Sequence, residues 1–129
     1  MLVLLSLVAI SCRHTNEELK ARLVNADSVA INYFTGNGSM DTVVAVKVIR
    51  DKANIERLVS LISIGTITAN YKCGVDGSLH FFKFNKVVQD IDFRMNEESC
   101  MQFSFLQRGE LKASKLSREA KELLEMLKK

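Results

Sequence analysis

The sequence contains no proline and no tryptophan, and only two histidines and three cysteines occur among its 129 residues. Without proline there are no cis-prolyl turns, and without tryptophan there is no tryptophan platform for a sugar. His14 and His80 lie far apart, and no two cysteines have CxxC spacing, so no metal site is expected. We predict a protein with no metal and no cofactor.

The net charge is also small, at +3, because 18 Lys and Arg residues are nearly balanced by 15 Asp and Glu residues. The one basic run is the terminal pair Lys128-Lys129, so we expect no nucleic-acid partner. A chain of this length with 47% hydrophobic residues has room for one domain with one core.

The first eleven residues, Met1 to Ser11, carry no charge and are almost wholly apolar. The run is too short for a transmembrane helix, which needs roughly 20 apolar residues. An apolar run followed by a small residue is typical of a secretory signal. Val8-Ala9-Ile10-Ser11-Cys12 also resembles the lipobox of bacterial lipoproteins, a family in which this cysteine is lipidated and becomes the mature N-terminus.

That resemblance implies a signal peptide over residues 1–11, a single domain over residues 12–129 and a membrane anchor at Cys12. Arg13 after Cys12 fits delivery to the outer membrane, facing the periplasm or the cell surface. Such signals normally open with Lys or Arg, which this leader lacks. The alternative is that Leu2 to Ile10 forms a buried strand or helix of the domain.

If Cys12 carries lipid, Cys73 and Cys100 remain as an even pair in an oxidising compartment, where disulfides persist. We predict that they are bonded, which stabilises the fold by about 3.5 kcal/mol on the chain-entropy model. The alternative is two free thiols on neighbouring strands.

Three segments have helical periodicity. Thr15 and Glu18 have the form of a capping box for a short first helix, and Asp51 and Ser117 are suitable N-caps for the second and third helices. Apolar residues recur three or four positions apart in each: Leu19, Leu23 and Val24 in the first, Ile55, Leu58, Val59 and Ile62 in the second, and Leu116, Ala120, Leu123, Leu124 and Leu127 in the third.

The other segments alternate as strands do. Val29 to Phe34 and Thr42 to Arg50 flank Asn37-Gly38, which predicts a hairpin. The later strands are predicted over 67–73, 79–84, 87–95, 101–105 and 110–115. The expected fold class is α+β, an antiparallel sheet of about six strands with helices packed on one face.

Alternation also assigns side chains to faces of the sheet. Ile91, Phe93, Met101, Phe103 and Phe105 are predicted to be buried, and Asp90, Asp92, Arg94, Gln102 and Ser104 to face solvent. Asp90 and Asp92 are the strongest catalytic candidate, but paired acids on a solvent-facing strand are typical of a solubilising surface. His80 stands alone on its strand and no nucleophile motif is present, so we predict no catalytic residue and no enzyme.

Three functions are compatible with these features. The chain looks like the small lipoproteins common in Bacteroidota, which favours a non-enzymatic envelope lipoprotein that binds a partner, such as a protein. Residues 71–79, Tyr-Lys-Cys-Gly-Val-Asp-Gly-Ser-Leu, resemble the Tyr-x-Cys, glycine turn and strand opening of membrane-bound lysozyme inhibitors, although the preceding αβ segment and the terminal helix do not belong to that barrel. A hydrolase ranks last for want of a nucleophile or metal set.

Overall fold

The computed structural model describes residues 15–40 and 42–129, which form one six-stranded antiparallel sheet and three helices. The elements in chain order are α1 (Glu17–Leu23), β1 (Ser28–Phe34), β2 (Val43–Ile49), α2 (Lys52–Ile62), β3 (Gly77–Lys83), β4 (Lys86–Arg94), β5 (Gln102–Gln107), β6 (Glu110–Lys115) and α3 (Arg118–Lys128). Two 3-10 turns, Tyr71–Cys73 and Glu98–Cys100, precede β3 and β5. The predicted α+β fold class is confirmed.

The strand order in the sheet is β2-β1-β3-β4-β5-β6. Two tight hairpins turn at Phe84-Asn85 and at Arg108-Gly109, and all four residues have positive φ. Positive φ at both central residues is the type I′ geometry, which matches the twist of paired strands. The predicted hairpin of β1 and β2 is confirmed, but its connection is longer than a two-residue Asn-Gly turn.

All three helices pack on one face of the sheet and share its core. The buried cluster contains these residues of the strands and helices: Val29, Ile31, Tyr33, Leu79, Phe81, Ile91, Phe93, Phe103, Phe105, Leu19, Leu23, Ile55, Leu58, Val59, Ile62, Ala120, Leu123, Leu124 and Leu127. The predicted apolar stripes are therefore confirmed, except that Val24 is exposed because α1 ends at Leu23.

The helix caps are confirmed for Asp51, which accepts from the amide of Asn54, and for Ser117, which accepts from the amide of Ala120. The prediction that Thr15 caps α1 is wrong, because Asn16 accepts from the amide of Leu19. A tertiary contact explains the shift, since the Asn16 side-chain amide also donates to Gln107.

The strand predicted over 67–73 is absent. Only Ile67 forms a bridge, with Ala113 of β6, and the chain then turns through Tyr71–Cys73. Side-chain contacts replace a strand ladder here, because Asn70 exchanges two hydrogen bonds with the Gln102 side chain and caps the amide of Lys72. Segment 66–75 thus runs from the sheet edge over the face that carries no helix.

Arg94 and Gln102, predicted to face solvent, are buried. Asp76 forms an ion pair with Arg94 and accepts hydrogen bonds from the amides of Met95 and Asn96. The 35–39 connection and segment 66–75 cover this part of the helix-free face, which we call the covered end. At their contact a Cβ on Gly74 would lie 2.5 Å from the carbonyl oxygen of Gly38, so glycine is required there.

Candidate functional site

Most residues on the remainder of the helix-free face are accessible to solvent, and strand pairing aligns them in two rows. One row is Val46, Asn32, Ser78, Asp92 and Ser104, and the next is Val48, Ala30, His80 and Asp90. We call these rows, together with the flanking Val87 and Leu106, the open face. Its residues come from β1 to β5, so the sheet register alone determines which of them meet.

A hydrogen-bonded polar group lies at the centre of the open face. Nδ1 of His80 is 2.6 Å from Oδ1 of Asp90, and Nε2 is 3.1 Å from Oγ of Ser78 and 3.2 Å from Nδ2 of Asn32. Since a carboxylate only accepts, Nδ1 carries the proton, and in the neutral ring Nε2 accepts from Ser78 and Asn32.

The structure therefore brings together a serine, a histidine and an aspartate that sequence analysis did not combine. Ser78 and His80 share a face because they are two residues apart on β3, and the β3–β4 register places Asp90 opposite His80. The alternation was visible in the sequence. The register was not, because it depends on a bulge between Phe81 and Phe82.

Hydrogen bonds link these residues in the order serine, histidine, aspartate, as in a serine hydrolase triad. Their surroundings differ from those of a hydrolase site. Ser78 is only 7% exposed and lies in a strand paired on both sides, so its backbone belongs to the ladder rather than to an oxyanion hole. Asp92 stands directly opposite Ser78, and its ionised carboxylate would repel an oxyanion. This arrangement favours binding over acyl transfer.

Asp92 is the unusual group of the open face. Burial raises the pKa of its carboxyl, nearby His80 opposes the increase, and the charge of Asp90 adds to it. No hydrogen bond to this carboxylate occurs within the described ranges. A partly desolvated carboxylate without hydrogen-bond donors costs folding free energy, and pairing with a cation would offset that cost.

A cleft opens beside Asp92 where β4 and β5 separate. Their ladder includes only residues 92–94 and 102–104. Beyond it the Gln89 side chain spans the gap and donates to the carbonyl oxygens of Asp90 and Leu106, while Arg22 donates to Gln89. The cleft has a volume of about 390 Å³ and is open to solvent, which suits one inserted side chain better than an enclosed ligand.

Exposed aliphatic side chains border the polar centre. Val46 and Val48 lie on the β2 side, and Val87 and Leu106 lie on the β4–β5 side, each about half exposed. These exposed aliphatic side chains on both sides of the polar centre provide apolar area for contact with another macromolecule.

The predicted site residues lie elsewhere or outside the described part of the chain. Cys73 and Cys100 are within disulfide distance, with Cα atoms 5.6 Å apart, and they join the two 3-10 turns at the covered end. Cys12 and the predicted signal peptide lie outside the described residues. Over residues 15–40 and 42–129 there is no cluster of metal ligands, and none of the helices there has the length and apolarity needed to cross a membrane.

Comparison with known proteins gives no identification: no family model, no curated protein and no solved structure matches this chain significantly.

Proposed function

We propose that this protein is a non-enzymatic, lipid-anchored protein of the bacterial cell envelope whose open face binds a protein partner. The observation that carries the binding role is the partly desolvated Asp92 carboxylate, which lies among exposed aliphatic residues and beside an open cleft. A complementary partner presents an apolar patch with one Lys or Arg side chain. That side chain would form an ion pair with the Asp92 carboxylate once the interface excludes water from both groups.

The envelope location is supported by the lipobox-like Val8 to Cys12 and by the proximity of Cys73 to Cys100, which suits an oxidising compartment. An anchor at Cys12 also agrees with the exposure of Thr15, which lies three residues after Cys12 and two before α1. Metabolic labelling with an alkyne fatty acid in a bacterial host tests the anchor. We expect the wild-type protein to be labelled and the Cys12→Ser variant to remain unlabelled. A wild-type protein that takes up no label would exclude the anchor.

In-cell photo-crosslinking tests the binding face. A photoreactive amino acid at Val87 samples the open face, and one at Met126 on α3 is the matched control because both residues are 49% exposed. We expect a discrete crosslinked product from position 87 alone, which disappears when Asp92→Arg is added. The same product from both positions, or none from position 87, would contradict binding by the open face.

A hydrolase is the second candidate, and the Ser78, His80 and Asp90 hydrogen bonds favour it. A fluorophosphonate probe followed by intact mass distinguishes it from the binding protein. The binding role predicts no adduct, whereas an adduct that is lost in Ser78→Ala would establish a nucleophilic serine.

The lysozyme-inhibitor alternative receives less support. The stretch that carries the resemblance begins as a 3-10 turn and enters β3 at Gly77, in an open six-stranded sheet with three helices on one face. An inhibition assay with a panel of lysozymes tests it directly, and we expect no inhibition.

A further inference from the structure

The two edges of the sheet are protected to different degrees. Ile67 pairs with Ala113 at the β6 edge, and that strand also carries the charged residues Glu110, Lys112 and Lys115. In the described part of the chain nothing pairs with the outer side of β2. Such an edge presents unpaired N–H and C=O groups, which natural proteins usually shield with charge, proline or a covering segment.

The sequence of β2 increases this exposure. The strand reads Val-Val-Ala-Val-Lys-Val-Ile, with one charged residue and no proline. Val43, Val44, Val46 and Val48 are each about half exposed. A strand of seven residues that is rich in valine and open along its edge is well suited to pair with another strand.

We propose that β2 pairs antiparallel with β2 of a second copy of this chain, about a two-fold axis at Val46. A second copy is preferred over another strand because β2 is complementary to itself in this register. Val46 lies opposite its own counterpart, and Val44 lies opposite Val48, so three valine pairs form across the axis. Lys47 lies opposite Ala45, so the two lysines do not face each other.

The neighbouring registers are less favourable. An axis at Lys47 places two ammonium groups directly opposite each other, and an axis at Ala45 leaves Val48 opposite Thr42. The bulge between β1 and β2 lies at Val43 and Val44, so the regular part of the edge is centred near Val46. A two-fold contact uses the same patch on both copies, which limits the assembly to a dimer.

The dimer would merge two six-stranded sheets into one and place two open faces side by side. The contact consists of one strand pair and a few aliphatic side chains, so we expect a weak, concentration-dependent equilibrium. This inference does not rest on lipidation or on partner binding, and it is tested with purified protein alone.

Sedimentation equilibrium of the wild-type chain and two variants tests the proposal. Val46→Lys places two cations at the axis and is expected to weaken dimerisation by at least about tenfold. Val87→Lys is the matched control, because Val87 is also about half exposed but lies on the interior strand β4, and it should dimerise as wild type does. Circular dichroism establishes that each variant is folded.

A crosslink test does not depend on the folding of the lysine variant. In a Cys12→Ser background, Val46→Cys should give a disulfide-linked dimer on mild oxidation, because position 46 meets itself across the axis, whereas Val87→Cys should not. A wild-type chain that stays monomeric up to about 1 mM would overturn the proposal. So would equal crosslinking at both positions, or a dimer that Val46→Lys leaves unchanged.

Discussion

At the residue scale, two partly or fully buried aspartates have opposite environments. The Asp76 carboxylate is paired with Arg94 and receives backbone amides from Gly38, Met95 and Asn96. These contacts satisfy the buried charge of Asp76 and link the segments of the covered end to one another. Asp92 is partly desolvated without comparable donors. Asp76 is thus a structural residue, and Asp92 is the residue we assign to binding.

Replacing Asp76 tests the structural role. Asp76→Ala leaves the buried Arg94 with Glu97, whose Oε2 is 4.0 Å from Nη2, as its remaining carboxylate, so the free energy of unfolding should fall by about 3 kcal/mol in urea titrations. Asp90→Ala is the control, because its carboxylate is largely exposed in spite of its contact with His80, and it should cost at most about 1 kcal/mol. Equal losses in the two variants would mean that Asp76 does not hold the covered end together.

Replacing Asp92 tests the cost of its desolvation. Because its pKa is raised above 3.8 in the folded protein, ionisation destabilises the fold as the pH rises through that pKa. The destabilisation is complete near neutral pH and absent well below 3.8. Asp92→Asn should therefore be more stable than wild type at about pH 7 but not at about pH 3. An asparagine variant less stable at neutral pH would show that the carboxylate has a favourable partner.

At the element scale, α1 is short but firmly docked. Its seven residues bury Leu19 and Leu23, and Asn16 before it bonds Gln107 at the β5–β6 turn. A hydrogen bond from Gln107, and to a smaller extent one from Arg108, lowers the pKa of Glu18. An isolated helix of this length would not be stable in water, so these tertiary contacts hold it in place.

The corrected cap provides a matched pair of variants. Asn16→Ala removes both the cap of α1 and the bond to Gln107, and it should lower stability by about 1–2 kcal/mol. Thr15→Ala should have almost no effect, because Thr15 is exposed and precedes the cap. Urea titration and amide exchange at Leu19 and Lys20 measure the difference. A larger effect from Thr15 would restore it as the cap.

The contact between the two 3-10 turns predicts a structural disulfide. Replacing both Cys73 and Cys100 by serine should lower the free energy of unfolding by about 3.5 kcal/mol, because the denatured chain loses its cross-link. Reduction of the wild type should have a similar effect, and reduction of the double variant should have none. Two thiols that alkylate freely in the native, unreduced protein would exclude the bond.

At the scale of the whole molecule, the docking of α1 determines the length of the tether. Only Arg13 and His14 separate Cys12 from Thr15, and these residues span about 10 Å at most. With α1 held by the core, a lipid on Cys12 would keep the domain against the headgroups. The α1 side of the molecule is then the side nearest the membrane.

Amine labelling on vesicles tests this orientation. Lys20 on α1 should be protected in the lipidated protein and labelled in a Cys12→Ser variant. Lys52 is the internal control because it lies far from α1. It is the first residue of α2, whose other end is near Asn16, so the length of α2, about 16 Å, separates Lys52 from the start of α1. It should react equally in both proteins. Equal labelling of Lys20 would mean that α1 detaches and acts as a free linker.

Features that depend on local contacts could be predicted from the sequence. Helix stripes follow from spacing of three or four residues, and strand faces follow from alternation, so α2, α3 and the buried side of β4 were predicted correctly. Caps at Asp51 and Ser117 bond amides three residues away and need no tertiary partner. The α+β class follows from these elements and their order.

Features that depend on residues distant in the chain could not be predicted in this way. Arg94 is buried because Asp76 and two covering segments meet it, and segment 66–75 is not a strand because Asn70 finds Gln102 across 32 positions. His80 gains Asp90 only through a register that includes a bulge. A shift of one residue in strand pairing moves every side chain of a strand to the other face, and the alternation within one strand does not show where a bulge will change its partners. The open face is therefore a product of register, whereas its individual residues were visible in the sequence.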